Sequence, residues 1–159
     1  MRHREAGFTL TELLVTAAIL AVLAGLALPL VKVAVQRDQE MELRRSLRAM
    51  REAIDAYKRL ADENKIEAKD GTDGYPPTLE VLVEGVKLKS EGKDGKGGEE
   101  KIIKFLRRLP VDPMTRSRDW GLRSSQDPPD ATTWGEENVF DVYTKSRRTA
   151  LDGTKYADW

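Results

Sequence analysis

One stretch constrains this chain more than any other: residues 7–31, GFTLTELLVTAAILAVLAGLALPLV. A short basic leader, MRHREAG, precedes it, and one carboxylate, Glu12, stands at the mouth of an otherwise uncharged apolar run. Nineteen residues separate Glu12 from Lys32, and as a helix they cover roughly 28 Å. A bilayer's hydrocarbon core is about 30 Å thick, so the segment is long enough to span one. Eleven Leu, Ile and Val lie between those two charges, and their insertion gains roughly 3 to 7 kcal/mol. A carboxylate costs up to about 3 kcal/mol at the bilayer centre and less near the interface. Insertion wins, and Glu12 is a tolerated cost that calls for a reason.

Gly7 followed by Phe8-Thr9-Leu10-x-Glu12 and an apolar helix resembles the class III signal of type IV pilins and type II secretion pseudopilins. The resemblance implies that a membrane aspartyl peptidase cuts between Gly7 and Phe8 and methylates the new amine of Phe8. Glu12 is then the fifth mature residue, the position the family uses to pair with the terminal amine of a neighbouring subunit. An ammonium near the interface is an inexpensive partner for a membrane carboxylate, which agrees with that role.

Two other readings fit the span. An ordinary secretory signal would be cut near Ala24-Gly25-Leu26-Ala27, but its apolar region would exceed the usual length and begin with an unusual Glu. A plain single-pass anchor would leave Glu12 merely interfacial. Arg2, His3 and Arg4 keep the amino terminus cytoplasmic in every membrane reading, with the carboxyl side outside.

Composition narrows the chemistry. Lys plus Arg and Asp plus Glu both number 27, so no basic field argues for nucleic acid. Loss of Arg2, Arg4 and Glu5 with the leader leaves 25 positive and 26 negative residues, a net charge of −1. There is no cysteine, and the single histidine, His3, lies in the leader. The mature chain thus lacks the commonest general base, the usual nucleophile pairs and the usual zinc ligands. No spaced carboxylate pair stands out, and the expectation is a protein that is not an enzyme.

Along the span, Ala17, Ala21 and Gly25 recur every four residues on one helix face, a spacing that lets helices approach closely. Pro29 removes the hydrogen bond to the Gly25 carbonyl and predicts a kink or unwinding there, which Gly25 eases. Within the pilin family a proline at this place lies in a segment that can stretch in the filament. From Lys32 the helix turns amphipathic. Leu43, Leu47, Met50, Ile54, Tyr57 and Ala61 follow 4-3-4-3-4 spacing, the pattern of a face packed on a globular head. The arginines from Arg44 to Arg51 read as a solvated face with intrahelical pairs, or as a surface for neighbouring subunits. Helix from about Thr9 to about Glu63 would be a rod of roughly 80 Å.

Asp70-Gly71-Thr72-Asp73-Gly74 reads as a turn; its acidic spacing rejects an EF-hand. Pro77-Thr78 predicts a short helix with Thr78 as N-cap. Ser90 to Gly98 is a polar, glycine-rich loop without a P-loop pattern. Glu99 to Arg108 predicts a second short helix ending at Leu109-Pro110, and Val139 to Thr144 alternates as a strand. Most of Trp120, Trp134, Tyr143, Tyr156 and Trp159 are expected to pack this sheet on the helix stripe, a binding role being the weaker alternative.

Leu109-Pro110-x-Asp112-Pro113, Trp120-Gly121, Phe140-Asp141-Val142-Tyr143 and Asp152-Gly153-Thr154-x-Tyr156-x-x-Trp159 resemble the head of the G-type major pseudopilin of type II secretion. That family commonly holds Ca²⁺ in the loop after its final strand, through carboxylates and carbonyls. Asp152 and Asp158 are the side chains such a site would use here. Arg147 and Arg148 stand where a glycine or an acid is expected and raise the cost of binding a cation. The alternative is a turn at Asp152-Gly153, with Arg147 or Arg148 bridging to one of these carboxylates in place of an ion.

The reading is therefore an α+β, type IV pilin-like lollipop: leader 1–7, filament-core helix 8–31, amphipathic continuation 32–66 and head 67–159. It implies a pseudopilin that self-assembles into a helical filament in the periplasm from an inner-membrane precursor. The implied partners are prepilin peptidase, minor pseudopilins, the platform protein and the assembly ATPase. A type IV pilin or minor pilin of a surface fibre uses the same physics, and a binding module on an uncleaved anchor would retain Met1 to Gly7 and form no polymer.

Overall fold

The computed structural model describes residues 7–89 and 101–159. Leader residues 1–6, the glycine-rich loop at 90–98 and the start of the expected second helix at Glu99 lie outside them, as does the side chain of Pro29. The chain divides into two compact units, 1–38 and 39–159, and one helix, α1 (Leu10–Asp62), contributes to both.

In the first unit the helix starts where its backbone donors find a partner. The Thr9 hydroxyl accepts the Glu12 N–H at 3.2 Å and the Thr9 carbonyl accepts the Leu13 N–H at 3.1 Å, which makes Thr9 the N-cap. The described side chains of this unit's apolar run are exposed. The helix is long and apolar enough, by length and composition, to cross a membrane. It continues as one helix through Gly25 and Pro29, without the unwinding expected there. A proline removes a single intrahelical bond, and the turns on either side keep theirs.

In the second unit α1 supplies the core. Leu43, Leu47, Met50, Ile54 and Tyr57 are buried as the spacing predicts, joined by Ser46 and Ala53, while Ala61 packs at the margin. The helix stops at Asp62 in a Schellman motif. Asn64 takes the left-handed conformation at φ 55°, its N–H reaches the Ala61 carbonyl (2.9 Å), and the Lys65 N–H reaches Leu60 (2.9 Å). The turn at 70–74 follows, with Gly71, Asp73 and Gly74 all at positive φ.

Two small antiparallel sheets complete the head. β1 (Val86–Lys87) pairs with β2 (Ile102–Ile103), and β3 (Gly121–Arg123) pairs with β4 (Asp141–Tyr143) in the register Gly121 to Tyr143 and Arg123 to Asp141. Gly121 is required there, because a Cβ would stand 2.3 Å from the Tyr143 ring. Trp120, Val142 and Tyr156 join the helix stripe in one core, and Trp134 and Trp159 pack against it.

Two local expectations are corrected. The short helix α2 (Glu80–Glu84) begins after Leu79, which is itself helical, and no side chain caps it. Burial of Leu79 and Leu82, rather than a Thr78 cap, places its start. The expected helix at 99–108 is instead strand β2 followed by irregular chain. The β-branched pair Ile102-Ile103 suits a strand. The Phe105 and Leu106 N–H groups then donate to the Leu82 carbonyl at 3.0 and 2.9 Å, using an acceptor that a short helix leaves open at its end.

Candidate functional site

Three places carry the functional expectations: the amino terminus, the apolar helix and the carboxyl-terminal loop. At the first, residues 7–9 precede the helix in irregular conformation. Phe8 is 80% exposed, and among the described residues nothing lies within 4 Å of where a Gly7 Cβ would be. Glu12 occupies the first turn, three residues after the Thr9 cap. An acid there is favoured by the positive end of the helix dipole. Thr9-x-x-Glu12 has the sequence spacing of a capping box, of which the structure shows the Thr9 half, its hydroxyl accepting the Glu12 N–H.

Along the apolar helix, Ala17, Ala21 and Gly25 are exposed. Helical spacing puts them on one face.

The carboxyl-terminal loop is fastened to α1 by residues the sequence reading left in the background. The Glu40 carboxylate accepts the Leu151 N–H (2.9 Å) and the Tyr156 hydroxyl (2.8 Å). Arg44 pairs with Asp152 at 3.5 Å and lies 4.1 Å over the Trp159 ring. Arg51 donates to Asp141 (2.6 Å), to the Val142 carbonyl (3.2 Å) and to the Trp159 carbonyl (2.7 Å). These contacts correct the expectation for the arginine bridge: Arg44, on the helix, reaches Asp152, whereas Arg147 and Arg148 are exposed and make no ion pair among the described residues. The reason is geometric. Arg44 is one turn from Glu40 on the face that meets this loop, and a sequence separation over a hundred residues long conceals that.

The calcium expectation meets the same geometry. The Asp152 carboxylate accepts the Thr154 N–H (2.9 Å) and hydroxyl (2.6 Å) as well as facing Arg44. Hydrogen bonds from Thr154, then the Arg44 charge, hold its pKa below the ordinary aspartate value. Asp158 is the exposed last residue of the 3₁₀ turn Tyr156–Asp158, and among the described residues no three acidic or histidine side chains gather to hold a metal. A carboxylate already engaged by donors and a guanidinium does not fit the six to eight oxygens that Ca²⁺ needs.

The long β3–β4 connection is likewise internally tied. Asp127 accepts the N–H groups of Ser124 (2.6 Å) and Gly135 (3.2 Å), and those bonds, Ser124 first, lower its pKa. Buried Asn138 accepts from the Ser125 N–H, and its carbonyl takes the Trp134 indole N–H.

Residues 2–28 match the family model described as the prokaryotic N-terminal methylation motif. No curated protein and no solved structure matches the chain. The motif is prepilin-type: it supports a type IV pilin-like protein, processing by prepilin peptidase, membrane anchoring through the apolar helix and assembly into a filament.

Proposed function

We propose that the chain is a structural subunit of a type II secretion pseudopilus, cut between Gly7 and Phe8, methylated on Phe8, and without catalytic activity of its own. The observation that supports this reading is the methylation motif over residues 2–28, with the Gly7–Phe8 bond just before a capped apolar helix. The pseudopilin-like elements of the head, Leu109 to Pro113 and Asp141 to Tyr143, favour a secretion filament over a surface pilus. Glu12 pairs with a neighbour's Phe8 amine as the helix leaves lipid for the filament core. Lipid-to-helix transfer gains little hydrophobic energy, so packing and that ion pair set the register. The head faces the periplasm, and the filament works with minor pseudopilins, the platform protein and the assembly ATPase.

The test is the intact mass and amino-terminal sequence of chain taken from membranes. A start at Phe8 with one added methyl group is expected; a start at Met1 points to an uncleaved anchor, and one near Leu28 to a secreted domain. Glu12→Ala should leave cleavage intact and reduce assembly at least tenfold, and a normal filament yield would remove Glu12 from the pairing role.

A further inference from the structure

The contacts that close the carboxyl-terminal loop form a circuit. Its anchor is one face of α1, where Glu40, Arg44 and Arg51 follow one another at four and seven residues. At helical spacing the three lie within about 40° around the axis. Glu40 accepts the Leu151 N–H and the Tyr156 hydroxyl, and Arg51 donates to the Trp159 carbonyl. Between them, Arg44 faces Asp152 Oδ2 at 3.5 Å and covers the Trp159 ring at 4.1 Å. The Trp159 indole N–H donates to the Thr154 hydroxyl (2.7 Å), and that hydroxyl donates to Asp152 Oδ1 (2.6 Å). The contacts therefore run from Arg44 to Asp152, Thr154 and Trp159, and back to Arg44.

This is the loop whose pseudopilin counterpart commonly holds Ca²⁺ through carboxylates and carbonyls, and here those oxygens are engaged. Both Asp152 oxygens belong to the circuit. The carbonyls of Arg148, Ala150, Thr154, Lys155 and Tyr156 each accept an N–H from within the segment, at 2.8 to 3.3 Å. Among the described residues no buried side-chain nitrogen or oxygen lacks a partner, whereas a built site stripped of its ion leaves such atoms orphaned. A divalent cation would have to displace these bonds and then sit beside a guanidinium, and both steps oppose its binding.

We propose that Arg44 takes the place of a divalent ion in this loop: its guanidinium supplies the fixed positive charge, and α1 holds the loop shut without Ca²⁺. An exposed ion pair alone is a weak fastening, and Arg44 and Asp152 are each more than half exposed. The circuit strengthens it. Trp159 is held by Arg44 at its ring face, by Thr154 at its indole N–H and by Arg51 at its carbonyl, so each contact orders the partners of the next. Loss of Arg44 removes the ion pair and the ring contact together. Closure of the loop then responds to salt, which screens a guanidinium–carboxylate pair, and is indifferent to the divalent cation. That this loop is the counterpart of an ion-binding one rests on the pseudopilin reading above; the circuit stands on its own contacts.

Amide hydrogen exchange of the full chain in detergent, read by mass spectrometry over residues 148–159, is the test. The parent should exchange there at the same rate with millimolar Ca²⁺ and with chelator. Arg44→Met, which keeps the apolar stem and loses the charge, should speed exchange by about three- to tenfold. Arg44→Lys should recover about half of that loss, and high salt should narrow the gap between the parent and Arg44→Met. Exchange over residues 43–57 in the same spectra shows whether the head is folded. Slower exchange of the parent with Ca²⁺ than with chelator overturns the proposal, and that arm needs no variant. So does an Arg44→Met loop that exchanges like the parent's, or a loss that Arg44→Lys does not recover. The filament reading is tested separately by the start at Phe8, so either can fail alone.

Discussion

Leu13 to Leu23 and Leu43 to Tyr57 belong to one helix, yet they solve opposite problems. The first stretch is apolar on every side and exposed; the second is apolar on one face, and that face is buried. An all-round apolar helix cannot be covered by a single small domain and needs lipid or other helices. An amphipathic one is completed by its own chain. The comparison shows where this protein's stability and its assembly separately reside: the head folds on the second stretch, while the first is left for an environment outside the molecule.

The comparison is broken most severely by truncation. Leu43→Ala or Met50→Ala should destabilise the head by about 2–5 kcal/mol, read by denaturant unfolding of the detergent-solubilised chain. Leu20→Ala, in the exposed stretch, should change that transition by no more than about 0.5 kcal/mol. A comparable loss from both would erase the distinction. A smaller effect comes from Gly121→Ala, whose methyl would press on the Tyr143 ring; overpacking of this kind costs about 1–3 kcal/mol. Measuring it beside Gly25→Ala, where no atom lies within 4 Å, sharpens the contrast, since that change should leave head unfolding unmoved.

The smallest effect is electrostatic. Asp152 has a lowered pKa in the folded head, so its contribution is present above the ordinary carboxylate range and disappears as pH falls through the lowered value. Asp152→Asn should therefore flatten the acid side of the head's stability profile and leave it parallel to the parent near neutrality. An unchanged acid slope would show that the Thr154 and Arg44 contacts do not persist in solution.

Much of the fold was readable in the residues themselves. The 4-3-4-3-4 spacing marked the buried face of α1, and Asp70 to Gly74 marked the turn. The short elements were harder. Ile102-Ile103 fits a helix or a strand until Val86-Lys87 lies beside it, and Leu79 starts α2 because the core holds it. At the amino terminus the methylation motif over residues 2–28 was legible because it is a local pattern. Glu40 and Arg44 were not, because their partners come from the last ten residues.

What the sequence by itself determined is therefore the long helix, its change from an all-apolar to a one-faced pattern, and the prepilin-type motif at its start. Each depends on spacing or on a contiguous run, and the chain carries those without folding. Only the tertiary structure decided that Arg44 rather than Arg147 or Arg148 meets Asp152, and that Glu40 meets Leu151 and Tyr156. Ion pairs and surface polarity depend on which distant segments share a face, and that is settled by packing against the core.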